Sequence, residues 1–479
     1  MLDKEITDLL TYAETHLMLD ELDKARAARQ IVRLLKLDGY SPLYETEGEN
    51  AIDIDGLFSP HKLLEPLLNS AVERGVVKPE DKPELKAEIM DALILRPSEI
   101  NDLFADTASV NRQKAFDFLY DYSVKSGYVD LVECAKNDRW EAKELKSKLE
   151  VIINVMPQAV VSGYPECALC YENEGYGKSA NKRVVTTEIC GEEWFFTYSR
   201  HQYFDKHGVL VNKTHTPPTG GKDALNKLAC AAEFMGADGF VGSNALAENG
   251  GAKNSVHEHF QTGYRYAPEL RAGYKTRYKS KDYPYIELGT VDWYNTVIRL
   301  SHSNLEKTVE FADKLISAWT SYSDERIANA DGKKNFVNIV CRKIGGKYVF
   351  DIILRSNGMK KHKTPAEYNE IKADALGLTD LLGYFVLPNK LSEQLQNVRL
   401  YLDGTKPFDK AALDGEAKPF AGMIERMLKD QGGTVTSLEA KLNLHDEIDV
   451  ACEKILASTA VFDGETIKPF FESIGIYEL

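Results

Sequence analysis

No apolar run in this chain approaches the roughly 20 residues that a helix needs to cross a bilayer. No membrane role is expected. The first ten residues, MLDKEITDLL, are acidic and amphipathic rather than a basic stretch ahead of an apolar one, so no secretory signal is read there. Basic charge is also short. There are 59 Lys and Arg against 74 Asp and Glu, a net charge of −15, and no basic stripe. Duplex nucleic acid, a polyanion, is therefore not expected as a partner, although a few local groups suffice for a nucleotide. Cysteines number seven, an odd count scattered over a long chain. That pattern reads as reduced thiols in a cytoplasmic protein, with any close pair a candidate metal site. A strand–GxGxxG–helix unit is missing, which excludes a dehydrogenase. The lack of GxxxxGK[ST] excludes a P-loop nucleotidase.

What remains is globular. The 479 residues are 43% hydrophobic and 10% aromatic, enough for a sizeable core and for two to four domains. Residues 1–150 read as helical, with Ile6, Leu9, Leu10, Ala13 and Leu17 at helical spacing and further amphipathic patterns over 80–95 and 112–124. From Val151-Ile152-Ile153 the pattern turns to strands. Strands are predicted over 193–198, 208–212, 239–243 and from His257 onward, with one helix over 223–235 between them. A second sheet-bearing half follows, with a strand over 291–300, a helix over 304–322 and a hairpin around Gly345-Gly346. A strand over 381–387 and helices complete it. The expected class is α+β with mostly antiparallel sheets, divided at 1–150, 151–300 and 301–479. Asp351, alternating with apolar residues, is expected to face solvent. His201, His207 and His302 are read as surface or packing residues. Cys134, Cys190, Cys230, Cys341 and Cys452 are read as small apolar packing groups.

One stretch organises the rest: GSNALAENGGAKNSVHEHFQTG, Gly242 to Gly263. In an extended segment side chains alternate, so His257, His259 and Gln261 share one face and Glu258 points the other way. The glycines Gly250 and Gly251 let backbone N–H groups approach an anion. Two imidazoles and an amide beside such a loop suit chemistry at phosphorus. Upstream, Cys167 and Cys170 form a C-x-x-C. Alone it could be a redox pair, two core cysteines or half a metal site. With His215 and His257 it offers a Cys2His2 set for tetrahedral zinc. That assignment leaves His259 free as a neutral imidazole nucleophile and Gln261 to hold a phosphate oxygen.

The motifs YPECALCYENEGYG, GSNALAENGGAKNSVHEHFQTG, DIILRSNG and LGYFVLPNKL resemble those of the second-type bacterial galactose-1-phosphate uridylyltransferases, within the histidine-triad superfamily. The resemblance implies a helical N-terminal region followed by two histidine-triad-like halves. It implies UMP exchange between UDP-glucose and galactose 1-phosphate, giving glucose 1-phosphate and UDP-galactose, through a uridylyl-histidine. By the same resemblance His259 carries the uridylyl group and Gln261 contacts its phosphate. Zinc falls to Cys167, Cys170, His215 and His257, and a homodimer is compatible with it. Asn244, Gly250, Gly251, Asn254 and Ser255 are assigned loosely to uridylyl binding, and Arg355 and Asn357 to the sugar phosphate. The sequence departs from the first-type H-P-H by Glu258, a change expected to matter little. Two rivals stand beside this reading. One is another histidine-triad enzyme, such as a dinucleoside-polyphosphate phosphorylase, against which Gln261 speaks. The other is a non-catalytic zinc-stabilised binding protein, which would leave His259 without a role.

Overall fold

The elements described between Asp3 and Cys134 are helices, and strands begin at Asp138, a little before the expected change. The computed structural model describes residues 2–42, 53–142, 146–156, 164–245, 250, 256–264, 267–324, 334–357, 365, 367–413 and 415–479. In chain order the strands are β1 Asp138–Glu141, β2 Glu150–Asn154, β3 Val185–Ile189, β4 Glu192–Tyr198, β5 Gly208–Asn212, β6 Gly239–Ser243 and β7 His259–Tyr264. There follow β8 Tyr274–Ser280, β9 Glu287–Val291, β10 Val297–His302, β11 Asn335–Ile344, β12 Lys347–Ser356, β13 Tyr384–Pro388 and β14 Ile476–Glu478. The single strand expected over 291–300 is thus two, broken by a turn.

Eleven strands form one sheet, in the order β14-β8-β9-β10-β12-β11-β6-β7-β5-β4-β3. The two expected sheet-bearing halves therefore join edge to edge. β6 pairs antiparallel with β11 (Gly242 opposite Val340), which removes two open edges at once. A separate sheet, β1-β2-β13, contains the one parallel pairing among the described residues, β2 with β13.

Both faces of the large sheet are covered. The N-terminal helices and the helices Gly221–Met235 and Leu305–Ser321 bury one face, where Phe116 meets Phe196 edge-on at 5.1 Å. The small sheet and the C-terminal helices bury the other, around Phe240, Val340, Ile353 and Phe385. This double cover overturns one expectation. Asp351 does alternate with apolar neighbours, but its face of β12 is not solvent, and it is fully buried. It lies opposite Arg299 on β10 and accepts a hydrogen bond from Arg299 Nε. Arg342 Nη2 stands 3.0 Å away, and Glu269 lies 3.4 Å from Arg299 Nη2. Burial, with Asp351 nearby, pushes the Glu269 carboxyl up to about 8. Removing one member of a buried ionic cluster leaves its partners desolvated, at a cost of about 3–5 kcal/mol. Asp351→Asn, which keeps the shape, is expected to lower thermal stability by that order in calorimetry. An unchanged melt would mean that the cluster is open to water.

The cysteines also divide. Cys341 and Cys452 are fully buried, as expected, but Cys190 is exposed. It occupies the tight β3–β4 turn at φ 50°, which holds its side chain outside the core and against the Cys230 thiol.

Candidate active site

β7 begins at His259 and runs between β5 and β6, with His259 opposite Val211 and Gln261 opposite both Val209 and Gly242. His259 and Gln261 share a strand face, and Phe260 turns away to stack on Trp194 at 5.1 Å. Gly242 matters to this packing. A Cβ there would lie 2.3 Å from Leu378 Cδ2, so only glycine lets the Leu378 segment close over Gln261's neighbour.

His257 lies two residues before His259 and is fully buried. Its Nδ1 is 3.3 Å from Cys167 Sγ and 3.9 Å from Cys170 Sγ. His215 Nδ1 is 3.2 Å from Cys170 Sγ and 4.0 Å from Cys167 Sγ, and the two sulfurs are 3.6 Å apart. A tetrahedron with zinc–sulfur and zinc–nitrogen bonds of ordinary length has edges of about 3.3–3.8 Å. The four ligand atoms all lie within 4.8 Å of one another, so this Cys2His2 cluster fits a tetrahedral metal ion. The ring of His257 is fixed from outside the cage, where Nε2–H donates to the Asn212 carbonyl at 2.7 Å. The C-x-x-C turn is equally fixed. Asn173 Nδ2 donates to the Cys167 carbonyl at 2.8 Å and to the Cys170 carbonyl at 3.0 Å. Asn173 thus serves the turn itself. Burial pushes the Cys170 thiol up to about 11, so a bound cation is what would make it a thiolate at neutral pH.

His259 stands clear of the cage. Its Nδ1–H donates to the His257 carbonyl at 2.8 Å. Burial lowers its pKa, so the ring is neutral at pH 7, and with the proton on Nδ1 the other nitrogen carries a free lone pair. His259 and Gln261 line a cavity of about 1130 Å³ with Asn244, His207, Asn154 and Lys372. His207, read from sequence as a packing residue, is buried here. Its Nδ1–H donates to the His201 carbonyl at 2.9 Å, and burial lowers its pKa to about 4. The Gln261 side chain lies against its ring, within hydrogen-bond reach. Lys372, paired with Asp380 at 3.0 Å, and Asn154 at the end of β2 line the same cavity. No spacing or motif in the sequence ties residues 154 and 372 to position 259. Only the fold brings them together.

Of the loosely assigned residues, Asn244 lines the cavity, and its Oδ1 accepts from the Leu378 N–H at 2.7 Å. Gly250 is buried, and its carbonyl accepts from Asn338 Nδ2 at 3.1 Å. Gly251, Asn254 and Ser255 lie outside the described residues. Arg355 and Asn357 are not among the residues that line the cavity. Arg355 is buried beside Asn338, 3.4 Å from its Oδ1, and so touches the Gly250 segment through that amide. Burial lowers its pKa to about 10.

Sequence comparison finds relatives along almost the whole chain. The galactose-1-phosphate uridylyltransferase of Bifidobacterium longum is 28% identical over 515 aligned positions, covering 98% of this chain and 97% of the relative. That of Caldanaerobacter subterraneus is 27% identical, covering 99% and 98%. That of Streptococcus thermophilus is 30% identical, covering 80% and 82%. No family model matches the chain, and no solved structure does. No helix among the described residues is long and apolar enough to cross a membrane.

Proposed function

The chain belongs to the galactose-1-phosphate uridylyltransferases of the second bacterial type, and from this premise we propose that it moves UMP between UDP-glucose and galactose 1-phosphate through a covalent adduct on His259. One observation carries the proposal: the 2.8 Å hydrogen bond from His259 Nδ1 to the His257 carbonyl, which leaves Nε2 unprotonated on a cavity wall.

In the first half-reaction Nε2 attacks the α-phosphorus of UDP-glucose. The bond from that phosphorus to the oxygen of glucose 1-phosphate breaks, and glucose 1-phosphate leaves. The His257 carbonyl, still holding Nδ1–H, offsets the positive charge that develops on the ring. Gln261 lies on the same strand face and reaches a non-bridging oxygen of the transferred group with its amide. In the second half a phosphate oxygen of galactose 1-phosphate attacks the adduct, the P–N bond breaks, and UDP-galactose departs. The halves are near mirror images, so one nucleophile serves both. Cys167, Cys170, His215 and His257 would hold zinc, which ties three separate elements together and fixes the carbonyl on which His259 depends.

A triad hydrolase would use a further histidine as general acid where this chain has Gln261. Isotope exchange tests the covalent route. Labelled glucose 1-phosphate is expected to enter UDP-glucose with no second sugar present, and parallel double-reciprocal plots are expected for the full reaction. Intersecting lines together with no exchange would rule the adduct out and favour direct transfer between two bound sugars.

A further inference from the structure

Glu258 separates the cage histidine from His259, and it is 2% exposed. Its side chain leaves the cavity face, as alternation predicts, but what it meets there is not solvent. Oε1 accepts from the Thr219 N–H at 3.1 Å and from Thr219 Oγ1 at 2.9 Å. Oε2 accepts from Asn212 Nδ2 at 3.1 Å and from Lys227 Nζ at 3.0 Å. Its main chain is held as well. The N–H donates to the Thr216 carbonyl at 2.7 Å, and the carbonyl accepts from the Asn212 N–H at 3.0 Å. Lys227 is itself 2% exposed and also reaches Glu192 at 3.0 Å and Asp223 at 3.3 Å. Thr216 and Thr219 belong to the loop that carries His215, and Asn212 is the residue whose carbonyl fixes His257. A single carboxylate therefore bonds to both arms of the cage.

We propose that Glu258 is a positioning residue that clamps the His215 loop to the strand carrying His257 and His259. In doing so it governs how readily the cage opens and how steadily His259 Nε2 is aimed. This inference rests on the metal and nucleophile reading above. Glutamine keeps the shape, but its NH2 must face donors, either those of Thr219 or those of Asn212 and Lys227.

The test uses the full-length, zinc-loaded chain and follows zinc release into an excess of a chromogenic chelator. Steady-state kcat and KM and thermal melting of the zinc-free chain are measured beside it. Glu258→Gln is expected to release zinc at least about tenfold faster and to lower kcat by a similar factor with KM held. Thr219→Val removes the hydroxyl, which bonds Glu258 and also Asp223, and keeps the N–H that donates to Oε1. It is expected to release zinc about tenfold faster, the order of worth of one hydrogen bond to a charged group, with the zinc-free melt little changed. Glu192→Gln removes the charge of a partner that Lys227 Nζ and Asn212 Nδ2 share, at 3.0 and 2.8 Å, and that does not touch the loop; its amide oxygen can still accept from Asn212. It is expected to lower the melt and leave release alone. Wild-type release rates in both Glu258→Gln and Thr219→Val overturn the clamp. So does a Glu192→Gln variant that loses zinc as fast as Glu258→Gln, since the network would then be stabilising in general. A wild-type chain that retains no zinc overturns the metal reading and the clamp with it, and that outcome is distinct from the other two.

Discussion

His259→Asn is expected to abolish uridylyl exchange, with a loss of about four orders of magnitude or more, because a covalent route has no substitute for its nucleophile. Asparagine keeps a polar group of similar reach and can still donate to the His257 carbonyl, so the strand register and the neighbouring cage should survive. UDP-glucose binding is expected to persist, since the cavity wall is otherwise intact. Protein quenched with UDP-glucose and no acceptor is expected to carry an acid-labile mass increment of one UMP on His259, and the variant none. An increment on His257 would exchange the roles of the two histidines. That outcome would conflict with the burial of His257, its bond to Asn212 and its contact with the cysteine sulfurs.

Cys170→Ser is expected to have the largest effect on stability. The four cage residues come from a turn after residue 164, a loop after β5 and the segment before β7, so a metal held by all of them crosslinks parts of the chain up to 90 residues apart. Structural zinc supplies roughly 10 kcal/mol or more to small domains that depend on it. Here the sheet is held by a large core as well, so partial unfolding around Cys167–Asn173 is expected rather than collapse. Elemental analysis is expected to find about one zinc per wild-type chain and a marked deficit in the variant, together with a lower melting temperature. Equal zinc content and an equal melt in the two proteins would dismiss the cage as a metal site. His259 activity should fall in parallel, because the carbonyl that orients it belongs to a cage residue.

The strand alternation around 257–261 was legible because a period of two is a local property of the chain. It correctly separated His259 and Gln261 from Glu258. The same reasoning failed at Asp351. Alternation says which residues share a face, but not whether a second layer covers that face, and here the small sheet and C-terminal helices do so. His207 is buried, as the packing reading allows, but its place on the cavity was not legible for a related reason. A lone histidine in a turn carries no sign that a strand 54 residues later will bring Gln261 beside it. The surroundings of Glu258 were not legible, because its four donors come from positions 212, 219 and 227, which no motif links to it.

By itself the sequence determined the α+β class, the helical start, the cysteines and histidines that could hold a metal, and the family, since each rests on local periodicity or on short motifs. Tertiary structure decided the rest. It joined two runs of strands into one eleven-stranded sheet, because unpaired edges of β6 and β11 are satisfied by each other. It set Lys372, Asp380 and Asn154 on the same cavity as His259. It also buried Glu258 and Asp351 among cations, where a carboxylate is stable only because long-range pairing supplies the hydrogen bonds that water would otherwise give.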